Sequence, residues 1–512
     1  MDRKSLYGLI FIAHVLSGCG DDENNSAGAA PPPDTGPAVQ NSVLDDQLRA
    51  LIADNNLSGD PGTGRTIPAI TDPIVQLGKK LFYTKALGGD FDSACASCHH
   101  PVLGGADALS LSFGVGAIDP DLLGPGRGDV TGIPNVPRNA PTTFNMALWD
   151  AGLFWDSRVE SLGKEPGANG AASGISTPDS GSNVIDSQAG ANLAVAQARF
   201  PVTSTDEMRG ALQAGASNDV LRAHLAGRLG NYGAGAGELA GSRWLEEFQT
   251  AFASAEDAAS LITFDNIVAA LGAFERSQVF VANPWRDYVQ GDNLAISDDA
   301  KRGAILFYTP VENDGAGCVE CHSGDLFSDQ GHHAIAAPQF GPGKGNPGNN
   351  DFGRENISGD SADRFRFRTP SLLNVSVSAP YMHSGAYQTL QQVLRHYDNP
   401  DNAVEEFFAA GGWCSLPQFQ GVQNCEALYP SAQQNSNAAL NKVAAERRQN
   451  DPAALPNANL NNGERNQIIA FLATLTDPCV EDRQCLAPWI PAPGEAADEH
   501  QLNAVNINGD TL

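Results

Sequence analysis

Two short stretches constrain this chain more than anything else in it: DSACASCHH at 92–100 and AGCVECHSG at 316–324, each holding Cys-x-x-Cys-His. QLGKKLFYTKALGG leads into the first and AKRGAILFYTPVENDG into the second. Each copy has a helical run ending in Leu-Phe-Tyr, then a loop with Gly and Asp, then the cysteine pair, so the motif sits inside a repeated unit. Two thiols three positions apart can add to the two vinyl groups of haem, and the adjacent imidazole can bind its iron, which is covalent c-type attachment. A thioredoxin-like pair or half a zinc site shares the cysteine spacing, but the adjoining histidine and the doubling favour haem. Cys95, Cys98 and His99 are assigned to one haem c, and Cys318, Cys321 and His322 to a second.

A chain of 512 residues exceeds one ordinary core and predicts two domains. Its 54 Gly and 32 Pro predict long loops. Helical periodicity in FDNIVAALGAFERSQ and NQIIAFLATL, with little strand alternation, makes the class mainly α. The expected architecture is two cytochrome c-like domains related by duplication, at 44–282 and 283–477, with an extension at 478–512 that ends as a tail. Residues 163–190, rich in Gly, Ser and Asn, read as a surface loop.

The formal net charge of −29 argues against nucleic acid as a partner and favours cationic ones. MDRKSLYGLIFIAHVLSGC, residues 1–19, has the form of an export signal, and LSGC is similar to a lipobox that makes Cys19 the lipidated first residue. Residues 20–43 read as a polar tether. Together with Gly20 after the cysteine, these features suggest the periplasmic side, with a lipid anchor in the outer membrane. In an oxidising compartment Cys414 with Cys425 and Cys479 with Cys485 suit two local disulfides, other pairings remaining open.

Catalysis, unlike electron carriage, needs one iron with an open position, so the residues facing each haem decide function. In TLQQVLRHYD, Thr389 and Gln392 form a capping-box start, and Leu390, Val393, Leu394 and Tyr397 share one face. Tyr397 therefore points inward, as a core aromatic or a ligand, and His396 points away.

LGKKLFY, CASCHH, GGADALSLSFG, PRNAPTTFN, LFWDSR, GCVECHSG, FRFRTPSLLNV and APYMHSGAYQTL together resemble the bacterial di-haem cytochrome c peroxidase and MauG superfamily over about residues 70–475. The resemblance implies a first haem that meets hydrogen peroxide and a second that handles electrons. Val115 stands where peroxidases of the family place a distal histidine, which implies a five-coordinate first haem. Tyr397, fourteen residues beyond His383, takes the place of the usual methionine and is implied as ligand of the second iron. Gln197, Pro201 and Glu207 match the distal trio, with Glu207 as acid/base, and Trp155 matches the relay between haems. Asn139, Ser378 and Pro380 match a calcium site, and Arg368 a propionate partner. The expected activity is MauG-like oxidation of a partner protein with hydrogen peroxide. The alternatives are a peroxidase fed by a small redox protein and a non-catalytic electron-transfer or sensing cytochrome.

Overall fold

A computed structural model describes residues 42–451 and 453–512. The leader at 1–19, with Cys19, and residues 20–41 of the tether lie outside the described residues. Ser42 is already a helix cap: its Oγ accepts from the Asp45 backbone N–H at 3.2 Å, starting α1 at Val43–Asp54.

The fold is mainly helical. Its principal helices after α1 are α2 (Pro73–Tyr83), α3 (Asn218–Gly230), α4 (Phe264–Ser277), α5 (Asp298–Tyr308), α6 (Leu390–Asp398), α7 (Ala432–Gln449) and α8 (Asn462–Ala473). Strands are few: antiparallel β1 (Gly152–Leu153), β2 (Val159–Ser161) and β3 (Ile175–Ser176), and a β4 (His332–Ala334) and β5 (Arg366–Arg368) pair.

Duplication is visible in packing as well as in sequence. Helix α2 crosses α4 at Gly78, where a Cβ would strike the Ala270 carbonyl oxygen, and α5 crosses α8 at Gly303, where one would strike that of Gln467. Only glycine lets the two backbones approach so closely. Phe82 and Phe274 pack at 5.0 Å between ring centroids in the first crossing, and Phe307 and Phe471 at 5.2 Å in the second. Each crossing lies at the heart of one of the two large apolar clusters.

The chain ends are exchanged between these cores. Leu48 and Ile52 of α1 are buried in the second core, where Asp45 accepts from Lys301 Nζ at 2.8 Å and from the Tyr288 hydroxyl at 2.9 Å. At the other end, Val480, Leu486, Leu502 and Leu512 complete the first core. Asp498 accepts from Trp244 Nε1 at 2.7 Å and from the Thr84 hydroxyl at 2.9 Å, and Glu495 pairs with Lys79 at 2.9 Å. The residues read from sequence as a tail are thus integral. Their apolar side chains have no helical or strand period, so periodicity could not reveal burial. The polar 163–190 stretch is anchored too, because Asn169 is buried and its Nδ2 donates to the carbonyls of Met146 and Trp149 at 3.0 and 2.7 Å. Cys414 is bonded to Cys425 and Cys479 to Cys485.

Candidate active site

Both Cys-x-x-Cys-His segments open onto one continuous cavity between the cores. Cys95, Cys98, Cys318 and Cys321 are unpaired, and burial pushes the Cys98 and Cys318 thiols up to about 12. His99 Nδ1–H donates to the Gly105 carbonyl at 3.1 Å, and His322 Nδ1–H to that of Phe327 at 3.0 Å. Burial lowers both imidazole pKa values. Each ring is therefore a neutral tautomer with its Nε2 lone pair available, the state that binds a metal.

These residues fit haem c. Two thiol pairs and two oriented imidazoles face a cavity walled by Leu271 and Phe144 on the first side and Phe307, Leu394 and Ile468 on the second. Arg368 supplies a further test. Its Nε donates to the Phe154 carbonyl at 2.9 Å, its guanidinium lies 3.7 Å from the Trp149 ring centroid, and its buried Nη1 has no partner. Burial lowers its pKa to about 9, which leaves a cation in need of an anion such as a propionate.

Around the first motif stand Gln197, Pro201 and Glu207. Gln197 ends a short helix, Leu193–Gln197, and its buried Oε1 is unpartnered. Ser204 Oγ accepts from the Glu207 backbone N–H at 3.2 Å, fixing the turn that presents the carboxyl. Burial raises the Glu207 pKa, while Arg158, with Nη2 at 3.9 Å, and Lys344 work against it. Val115 does not line the cavity: its N–H donates to the Asp206 carbonyl at 3.2 Å, backing the Glu207 turn from behind.

Tyr397 reaches the cavity beside the second motif, and burial raises its phenol pKa, with the Cys321 and Cys318 thiols adding to the effect. Among the described residues no side chain or carbonyl hydrogen-bonds its hydroxyl. The neighbouring His396 is fully engaged, since Tyr387 donates its hydroxyl proton to Nδ1 at 2.9 Å and Nε2–H donates to the Ile335 carbonyl at 2.6 Å. His333 lines the cavity but donates through both nitrogens, to Ala453 O at 3.0 Å and Asp329 Oδ2 at 2.7 Å. Burial opposes its charge, yet Asp329 and Cys321 raise its pKa to about 11. Met146, Met208 and Met382 also line the cavity.

Trp155 lines the cavity as well: its Nε1–H donates to the Asn139 carbonyl at 2.9 Å, and its ring meets that of His383 edge-on at 6.5 Å. Asn139, Ser378 and Pro380 line the same cavity, with Asn139 Nδ2 donating to the Leu109 carbonyl at 2.8 Å. No cluster of three or more His, Cys, Asp or Glu suited to a metal ion occurs among the described residues.

Residues 72–294 match the family described as di-haem cytochrome c peroxidase. The methylamine utilization protein MauG of Methylorubrum extorquens is 30% identical over 330 residues, 64% of this chain and 69% of that protein. The chain belongs to the di-haem cytochrome c peroxidase family. It is an oxidoreductase of that family, and membership implies two c-type haems. Cytochrome c551 peroxidase of Pseudomonas aeruginosa is 26% identical, covering 70% of this chain and 80% of that protein. A crystal structure of a MauG-like protein associated with microbial copper homeostasis superposes with a TM-score of 0.51 at 22% identity, over 83% of this chain and 96% of that one, and shares the fold.

Sequence reading passed over Glu275, Arg158 and Lys344. Glu275 had a visible signal: it follows Leu271 by one helical turn on the stripe that buries Ile267, Val268 and Leu271, where a carboxylate is out of place. Lys344 had none, because a 186-residue separation from Arg158 leaves no local pattern.

Proposed function

We propose that this chain reacts with hydrogen peroxide at the His99 site and forwards oxidising equivalents through a His322 and Tyr397 site to a partner protein, as a MauG-like oxidoreductase. Tyr397 carries the reading. A phenol that opens onto the cavity with no protein partner for its hydroxyl, beside a thiol pair and an oriented imidazole, is placed to offer its oxygen to an iron, and a phenolate favours oxidised iron over reduced. Haem c, when bound, supplies the redox-active iron at each site.

Glu207 takes a proton from one peroxide oxygen and returns it to the other, with Gln197 Oε1 orienting the bound molecule and Pro201 shaping the wall. Arg158 and Lys344 keep Glu207 able to ionise despite its burial. Trp155 offers a π-system for electron passage, and Arg368 holds a propionate. Asn139 with the carbonyls of Ser378 and Pro380 offers hard oxygen donors to calcium, tying the two halves beside Trp155. The apolar leader supports export to the periplasmic side with Cys19 as lipid anchor. No helix among the described residues is long and apolar enough to cross a membrane.

The deciding experiment gives the holoenzyme peroxide in the presence of a co-encoded protein and, separately, of a reduced small cytochrome or cupredoxin. Oxidation of a side chain in the protein supports the proposal. Rapid turnover with the reduced carrier alone assigns the chain to the peroxidase function, and spectra unmoved by peroxide assign it to electron carriage.

A further inference from the structure

The duplicated helix crossings allow a residue-by-residue comparison of the two haem sites. Phe274 in α4 corresponds to Phe471 in α8, Leu271 to Ile468, and Glu275 to Leu472. Leu271, Glu275, Ile468 and Leu472 all line the cavity. The second site is therefore apolar where the first carries a carboxyl. Glu275 is 5% exposed, and its Oε2 has no hydrogen-bond partner.

A carboxyl is not retained in an apolar helix stripe for packing, since a leucine fills the same place in the sister crossing. We propose that Glu275 is a redox-linked proton site of the first haem, a positioning residue that takes up one proton from solvent when the iron held by His99 gains an electron and releases it when the electron leaves. Charge near the iron then stays constant, which a poorly solvated site requires.

The charges of the elements packed around α4 are engaged elsewhere. Lys79 pairs with Glu495, Lys80 with Glu247, Arg222 with Asp179 and Arg228 with Glu238, while Arg276 donates to the Thr66 carbonyl. Arg199 pairs with Asp265 and Asp179, and Cys95, which becomes a thioether on haem attachment, Glu207, the buried His99 and His100 and the buried Tyr83 hydroxyl are further titratable groups on that side. With no cation paired to it, burial alone raises the Glu275 pKa to about 8; the positive charge of an oxidised iron would pull it down and reduction would remove that pull, so the carboxylate gains its proton together with the electron.

The proposal rests on the first haem being held by His99 and is independent of peroxide chemistry. Its test is spectroelectrochemical titration of each haem in the holoenzyme from mildly acidic to mildly alkaline pH, for wild type, Glu275→Gln and Glu275→Leu. In wild type the first haem's potential falls as pH rises, and the reduced-minus-oxidised infrared spectrum carries a protonated-carboxyl band. In Glu275→Gln, which preserves shape should the leucine variant misfold, that band is absent and the slope flattens, while the second haem serves as an unchanged control. Identical slopes and bands in wild type and Glu275→Gln overturn the proposal. Loss of peroxide reactivity without these changes bears on the proposed function instead.

Discussion

Gly303 lies against the carbonyl of Gln467 as closely as Gly78 lies against that of Ala270. Adding a methyl at either crossing forces the helices apart. Gly303→Ala and Gly78→Ala are each expected to cost about 1–3 kcal/mol by overpacking. Thermal unfolding of the holoprotein followed at each haem band checks this, with the band of the haem in the substituted half changing first.

Tyr397→Met exchanges a hard oxygen donor for a thioether. The second haem's midpoint potential should rise by a modest part of the ~0.8 V range that axial ligands span. Tyr397→Phe should leave that iron with an open position and a high-spin ferric signal. An unchanged low-spin signal in Tyr397→Phe removes the tyrosine from the ligand set.

Glu207→Gln should slow the reaction of ferric protein with peroxide by about 10²- to 10⁴-fold while leaving the resting spectrum intact. Burial holds the Glu207 pKa above the ordinary carboxyl value, so the base form dominates only above that raised pKa. The wild-type rate constant should therefore climb with pH through an inflection above about 4.3. Removing a nearby positive charge in Lys344→Gln should move the inflection upward, with Lys344→Arg restoring it. Stopped-flow pH profiles of the three proteins provide the measurement.

Asp45 is held below the ordinary carboxylate range: burial opposes ionisation, but Lys301, Ser42 and Tyr288 outweigh it. With its folded pKa depressed, its contribution is present above about pH 3.9 and fades as pH falls below that value. Asp45→Asn should loosen α1 at neutral pH, seen as faster amide exchange in residues 43–54, and the difference from wild type should shrink under acid.

Asp498→Ala strands the Trp244 indole N–H and the Thr84 hydroxyl inside the first core. A loss of about 1–3 kcal/mol for each stranded donor is expected from denaturant titration.

The repeated Cys-x-x-Cys-His units, the helical class and the inward face of α6 were legible because each depends on local spacing. Tyr397 could be placed at the cavity from Leu390, Val393 and Leu394, but His396, expected to point away, is fully buried because Tyr387 and the Ile335 carbonyl engage both its nitrogens. Glu207 is different: its turn is local, but Arg158 and Lys344, which set its charge, come from distant segments. Burial of the last residues escaped notice because Leu502 and Leu512 are held by tertiary contact, with no regular element to announce them. The asymmetry between Glu275 and Leu472 emerges only when two helix crossings are laid on each other in space.

The exchange of chain ends has a consequence for biosynthesis. A domain emerging first from the ribosome ordinarily folds first. Here the core that surrounds the first haem lacks Val480, Leu486, Leu502 and Leu512 until the chain has been made through residue 512. The first core therefore cannot close on its own segment of chain and depends on residues two hundred or more positions further on.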